Sequence, residues 1–347
     1  MTQTQQRVLV TGGSGFIAGH CILRLLEQGH PVRTTVRSLD REASVRAVLA
    51  DAGMTRDDAL SFVEADLTGD AGWAAAVDGC DFVLHVASPV HPGKVKDPDD
   101  VIVPARDGTL RVLRAARDAG VARVVATSAF HAVGFGHPRS DHTFTEDDWT
   151  VLDGPGVDAY GASKVLAERA AWDFVRAEGG STELTTVLPV AVMGPVLGRD
   201  VSGANHVVQR CLNGQLPGYP DLYLPIVDVR DVAFAHVAAM TAPGAAGQRF
   251  LVAGDDPAMA MREIGAILRD HFGSAARRVP TRTIPDVVVR VAALFSAEFR
   301  SVAADLGFVK QVSNERARRV LGLQPRPARD AVVAAAESMI ARSLVKG

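Results

Sequence analysis

The sequence predicts an α/β protein: a Rossmann-type, doubly wound parallel sheet with a smaller C-terminal substrate-binding region. Three observations carry this. Short apolar strands alternate with helical patterns through the first half of the chain. Two of those strands, VLV and FVLHV, read as near-continuous apolar runs, as suits strands covered on both faces. A glycine-rich turn, GGSGFIAG at 12–19, joins the first strand to the first helix.

The elements follow in order. Residues 7–11 form the first strand, and 16–27 a helix in which Ile17, Cys21 and Leu25 recur at a spacing of four. Strand two is 32–37, a helix covers 41–52, and strand three is 60–65. Residues 73–77 are a short helix, 81–86 strand four, 99–118 a long helix and 122–128 strand five. A helix over 160–177 leads to strand six at 182–189. Beyond it the pattern loosens: a short strand at 225–228, a helix at 231–240, a strand at 249–253 and helices after 258. Residues 1–190 are thus assigned to an NADP-binding core. Residues 191–347 are assigned mainly to a substrate-binding region, with some segments returning to the core. The apolar stretch at 284–299 is interrupted by Arg290, too short to span a bilayer, and reads as a buried or lid-forming helix.

Composition narrows the function classes. With 37 basic and 40 acidic residues and a formal charge of −3, nothing marks a nucleic-acid or membrane partner. The three cysteines, Cys21, Cys80 and Cys211, form no CxxC and no metal-ligand spacing. The scattered histidines suggest no metal site either. The N-terminus shows no long apolar run of a signal peptide, and a cytoplasmic setting is expected.

The glycine-rich turn has specific requirements. Gly12 allows the tight turn, Gly15 lets backbone approach a pyrophosphate, and Ala18 keeps the helix close to its strand. Thr11, Phe16 and Ile17 flank the turn, and the helix N-terminus offers free N–H groups to phosphate. Strand two ends in TVRSLDR, with Arg37 where an NAD site commonly carries an acid; its guanidinium suits a 2′-phosphate, hence NADP(H). Arg41 is a possible helper, and Asp40 tempers the reading. Asp66 and Leu67 are candidates for the adenine, as an acceptor and an apolar face. The small residues Val86, Ala87 and Ser88 after strand four would let backbone pass close to the cofactor. His85 reads as a packed strand residue.

Tyr160 and Lys164 stand four apart on one helical face. An ammonium beside a phenol stabilises the phenolate, which makes such a tyrosine a general acid for carbonyl reduction or a base for the reverse. The same lysine can reach ribose hydroxyls.

With these residues in view, the chain resembles an extended short-chain dehydrogenase/reductase, nearest the dihydroflavonol-4-reductase-like aldehyde and ketone reductases. TGGSGFIAG, TVRS, LHVASPV, DGTLRVLRAA, YGASKVLAE, LPVAVMGP and VDVRDVAFAH carry the likeness over residues 7–240. The resemblance implies NADPH-dependent carbonyl reduction; the apolar pocket expected of the later segments suits a hydrophobic or aromatic aldehyde or ketone, and a monomer or homodimer is expected. The resemblance also implies that LPVAVMGP runs beside nicotinamide, with Pro189, Val190 and Val192 as contacts. Such proteins usually end strand five in a run of hydroxyl residues, the last of which bonds the substrate carbonyl. Here the run is Thr127, Ser128 and then Ala129. Three readings stay open: Ala129 weakens catalysis, Ser128 takes the role through a local bend, or Thr127, His131 or water supplies the donor. Strand alternation makes Ser128 doubtful, because neighbouring side chains face opposite sides.

His91, Phe130, His131, Met193, Tyr219 and Leu222 are the candidates for substrate contact, in segments expected to form an apolar mouth. The rival functions are a sugar-nucleotide epimerase or dehydratase, a 3β-hydroxysteroid-type dehydrogenase, and an NADP-binding protein with impaired catalysis.

Overall fold

The computed structural model describes residues 6–89, 95 and 97–346, with the side chains at 297, 298 and 301 excepted. Seven parallel strands build the central sheet: β1 (Val8–Val10), β2 (Val32–Val36), β3 (Leu60–Glu64), β4 (Phe82–His85), β5 (Arg123–Thr127), β6 (Glu183–Pro189) and β7 (Arg249–Val252). Their order across the sheet is 3-2-1-4-5-6-7, so the winding reverses between β1 and β4. Ligands of such sheets bind at that reversal, outside the carboxyl ends of the strands.

Five helices frame the site: α1 (Phe16–Glu27), α2 (Glu42–Asp51), α3 (Trp73–Val77), α4 (Asp99–Asp118) and α5 (Ala159–Glu178). Helix α5 starts cleanly because Asp158 is its N-cap and accepts from the Gly161 N–H at 2.8 Å. Its inner face packs on α4 and the sheet through Val165, Ala171 and Phe174, all buried. The sheet is sandwiched by two apolar layers. One is built on α1 and Val232–Met240; the other on Trp73, Val112, Leu113 and Phe174.

The C-terminal half contributes β7 to the sheet and otherwise forms its own core around Val208, Tyr219, Ile264, Leu268 and Val332. The VDVRD segment ties the two together. Asp228 caps the helix Val229–Thr241 and pairs with Arg230, while buried Asp231 pairs with Arg326. The stretch at 284–299 is not one buried helix. It forms two short helices, Asp286–Ala293 and Ala297–Asp305, and leaves Leu294 72% and Phe295 85% exposed. Only Val289 and Ala293 on the first of them are buried, because Arg290 and the break after Leu294 restrict the face it can bury.

Candidate active site

The turn after β1 is shaped by close backbone packing. Gly12 has φ of +74°, and a Cβ there would lie 3.0 Å from the Cβ of Ala87. Its N–H donates to Thr35 Oγ1 at 2.9 Å. Gly13, which the spacing argument passed over, is equally constrained: a Cβ would meet Thr34 Oγ1 at 2.4 Å. Gly15 is exposed at the N-terminus of α1, with no side chain capping it, so the first N–H groups point outward. Phe16 and Ile17 are half-buried in the first turn. Thr11 is wholly buried and structural: its hydroxyl oxygen accepts from the Ala87 N–H at 3.0 Å and is hydrogen-bonded to His85 Nδ1. His85 is thereby a packed strand residue, its pKa pushed down to about 3 by burial and then by the Lys164 charge.

Arg37 sits exposed at the end of β2, where it lowers the pKa of Asp66 slightly after the Thr68 hydrogen bonds do so. Asp66 uses Oδ1 to cap its own turn, accepting from the Thr68 N–H and hydroxyl at 2.8 Å each. Leu67 is buried under Gly108, in the core layer, rather than presented as a flat apolar surface. These features fit a dinucleotide. The turn has no room for side chains, a helix N-terminus faces out, and the Arg37 guanidinium is exposed at the end of β2.

Helix α5 carries Tyr160 and Lys164. Tyr160 is 45% exposed, and the Lys164 Nζ lies 5.6 Å from its ring centroid. Lys164 is buried and donates to Ser88 Oγ at 3.2 Å, which places the ammonium over the loop after β4. Glu168, one further turn along, was missed by sequence reasoning. It is buried, and it accepts from Ser128 Oγ at 2.7 Å, Thr186 Oγ1 at 2.8 Å and Arg249 Nε at 2.8 Å. Arg249 also donates to the Glu146 and Asp148 carbonyls and stacks 3.7 Å from the Trp149 centroid. The signal was present in YGASKVLAE: the Tyr–Lys spacing of four repeats once more at Glu168.

This network decides the fate of the strand-five hydroxyls. Ser128 N–H still pairs with Val187 O at 2.8 Å, so strand geometry continues through it and no bend brings it round. Its hydroxyl is buried against Glu168, which corrects the reading of Ser128 as a catalytic donor. The Thr127 hydroxyl faces the opposite side and is hydrogen-bonded to His236 Nε2 at 2.7 Å. Ala129 is buried in extended backbone and leads into a 3-10 turn at Phe130–Ala132.

That turn sets His131 edge-on to Tyr160, with ring centroids 5.0 Å apart and planes at 78°. His131 stacks on Phe135 at 4.4 Å. Phe130 points into the core instead, edge-on to Phe135 and Phe144, and a Cβ at Gly134 would strike its ring. Met193 and Tyr219 are likewise buried in the second core, packed among Val208, Ile264, Leu268 and Val332. All three are corrected from substrate contacts to packing residues. Leu222 lines a cleft of about 370 Å³ with Tyr223, Arg262 and Ile284. Pro189 and Val190 are buried at the end of β6 and Val192 is half-buried beyond it. Val86 and Ala87 are half-buried after β4, and His91 lies outside the described residues. Among the described residues no cluster of metal-ligating side chains occurs, and no helix is long and apolar enough to cross a membrane.

A glycine turn at the reversal of a parallel sheet, together with a Tyr–Lys pair on α5, defines the class of extended short-chain dehydrogenases/reductases. The chain belongs to the NAD dependent epimerase/dehydratase family, whose sequence model matches residues 8–253. It is 37% identical to cinnamoyl-CoA reductase 1 of Arabidopsis thaliana over 249 residues, 71% of this chain and 70% of that one. It is 33% identical to the ketoreductase azaE of Aspergillus niger over 305 residues, covering 82% and 88%. The fold also matches the yeast methylglyoxal/isovaleraldehyde reductase Gre2, crystallised with NADPH. The TM-score is 0.79 at 24% identity, covering 98% of this chain and all of that one.

Proposed function

We propose that the protein is an NADPH-dependent oxidoreductase that reversibly reduces a hydrophobic or aromatic aldehyde or ketone to the alcohol. The observation that carries this is the pairing of Tyr160 and Lys164 beside the loop after β4. NADPH, when bound, would supply a hydride to the carbonyl carbon. Gly12, Gly15 and the α1 N-terminus would hold its pyrophosphate, and Arg37 its 2′-phosphate. Lys164 holds ribose hydroxyls and stabilises negative charge on the Tyr160 oxygen. Tyr160 donates its proton to the carbonyl oxygen as the hydride arrives.

Residues 191–347, apart from β7 and the helix Val229–Thr241, form the substrate side. A cytoplasmic setting fits three buried, unpaired thiols. Curated relatives named for carbonyl reduction, together with Arg37, favour this reading over a sugar-nucleotide enzyme. The test is NADPH oxidation with a panel of aromatic aldehydes and ketones, run beside a sugar-nucleotide panel. Turnover only of the sugar nucleotides would overturn the proposal.

A further inference from the structure

The end of β5 presents a chemical gap. A carbonyl oxygen that gains negative charge needs a second hydrogen-bond donor beside the tyrosine, yet no free side-chain hydroxyl stands there. Ala129 has none, Ser128 is engaged by Glu168, and Thr127 is engaged by His236. The next polar side chain along the turn is His131, and it lies against Tyr160.

We infer that His131 is the hydrogen-bond donor that holds the substrate carbonyl oxygen beside Tyr160, in the place for which β5 supplies no hydroxyl. This rests on the carbonyl-reductase reading above. Four features support it. The 3-10 turn is pinned on both sides: Thr150 Oγ1 donates to the His131 carbonyl at 2.8 Å, and the Thr150 N–H donates to the Ala132 carbonyl at 3.0 Å. The ring is oriented by stacking on Phe135, whose own ring carries the Lys310 ammonium 3.6 Å from its centroid. Lys310 is fixed in turn by Asp305 at 2.8 Å. Among the described residues the contacts that hold the imidazole are aromatic, so its nitrogens remain for a ligand.

The ring is also kept in the useful charge state. Burial, with Lys310 and Lys164 adding to it and Asp158 and Asp305 opposing it, pushes His131 down to about 4. At neutral pH it is an imidazole with one N–H donor and one acceptor nitrogen. A neutral donor stabilises the developing oxyanion without competing with Tyr160 for the proton transfer. His131 keeps its proton throughout; the proton reaching the oxygen is that of Tyr160. The donor strengthens its bond as the oxygen gains charge, which lowers the barrier rather than merely tightening binding.

The experiment compares His131→Phe, His131→Asn, Ala129→Ser and the double variant Ala129→Ser/His131→Phe with the wild type by kcat and NADPH affinity. His131→Phe should lower kcat about 10²–10³-fold with NADPH affinity unchanged. His131→Asn, which retains a donor, should keep at least about tenfold more activity than His131→Phe. Ala129→Ser should raise the rate of the Phe variant more than it raises that of the wild type. Equal rates for the Phe variant and the wild type would overturn the assignment, as would equal losses in the Phe and Asn variants with folding intact. A wild type that binds NADPH but reduces no carbonyl would instead overturn the underlying function.

Discussion

In the proposed function, Arg37 is the residue on which cofactor choice turns. It is exposed at the end of β2, and its guanidinium can pair bidentately with a phosphate. An NAD-type acid would repel the same group. Charge-assisted hydrogen bonds contribute about 1.5–3 kcal/mol. Arg37→Ser should therefore raise the KM for NADPH about 10–100-fold and leave that for NADH within about threefold. Steady-state assays with both cofactors check this; equal changes for the two would remove Arg37 from the phosphate site. At the same scale, Ala129, Ser128 and Thr127 show how a sequence motif divides once folded. Strand alternation sends Thr127 to His236 and Ser128 to Glu168.

At the scale of elements, α5 acts as a graduated bar. Tyr160 lies at the mouth, Lys164 at the loop after β4, and Glu168 in the core, each one turn from the next. Glu168 ties β5, β6 and β7 to that helix through Ser128, Thr186 and Arg249. Ser128→Ala removes one donor to a buried carboxylate and should cost about 1–3 kcal/mol of stability. The kcat should hold within about threefold, since the reactive groups are untouched. Denaturant melts and initial rates separate the two effects; a large loss of kcat in a stably folded variant would return Ser128 to the chemistry.

The elements themselves were legible because their signals are local. Periodicity marked α4 and α5 nearly to the residue, and the glycine turn marked the junction of β1 and α1. What was not legible depends on contacts distant in sequence. Glu168 meets Arg249 across 81 positions, and nothing local announces that pair. Phe130, Met193 and Tyr219 are apolar residues in irregular segments, where composition alone does not separate a pocket wall from a core.

At the scale of the whole molecule, burial lowers the pKa of four histidines among the described residues. His85 is pushed down to about 3, His131 and His236 to about 4, and His20 is lowered as well. Their unfolded pKa is near 6.5. Between those values the unfolded chain binds more protons than the native one, so stability falls as pH drops from about 6.5 towards 4, by up to about 1.4 kcal/mol per group per pH unit. Burial raises the carboxyls of Glu146 and Asp231, which works in the opposite direction and reduces the net effect. Thermal melts should show a lower Tm at pH 5 than at pH 7. A Tm unchanged between them would contradict the burial of neutral imidazoles.

The central claim is that this chain directs hydride transfer to a carbonyl with Tyr160 as the acid. It is tested most directly with NADPH carrying deuterium at both C4 positions of the nicotinamide and an aromatic aldehyde. Wild type and Tyr160→Phe are compared, and NADPH affinity is measured for both. The predicted result is one deuterium on the carbinol carbon of the alcohol from wild type. The Phe variant should be slower by about 10²–10⁴-fold with cofactor binding intact. An alcohol without deuterium, or a Phe variant as fast as wild type, would contradict the account.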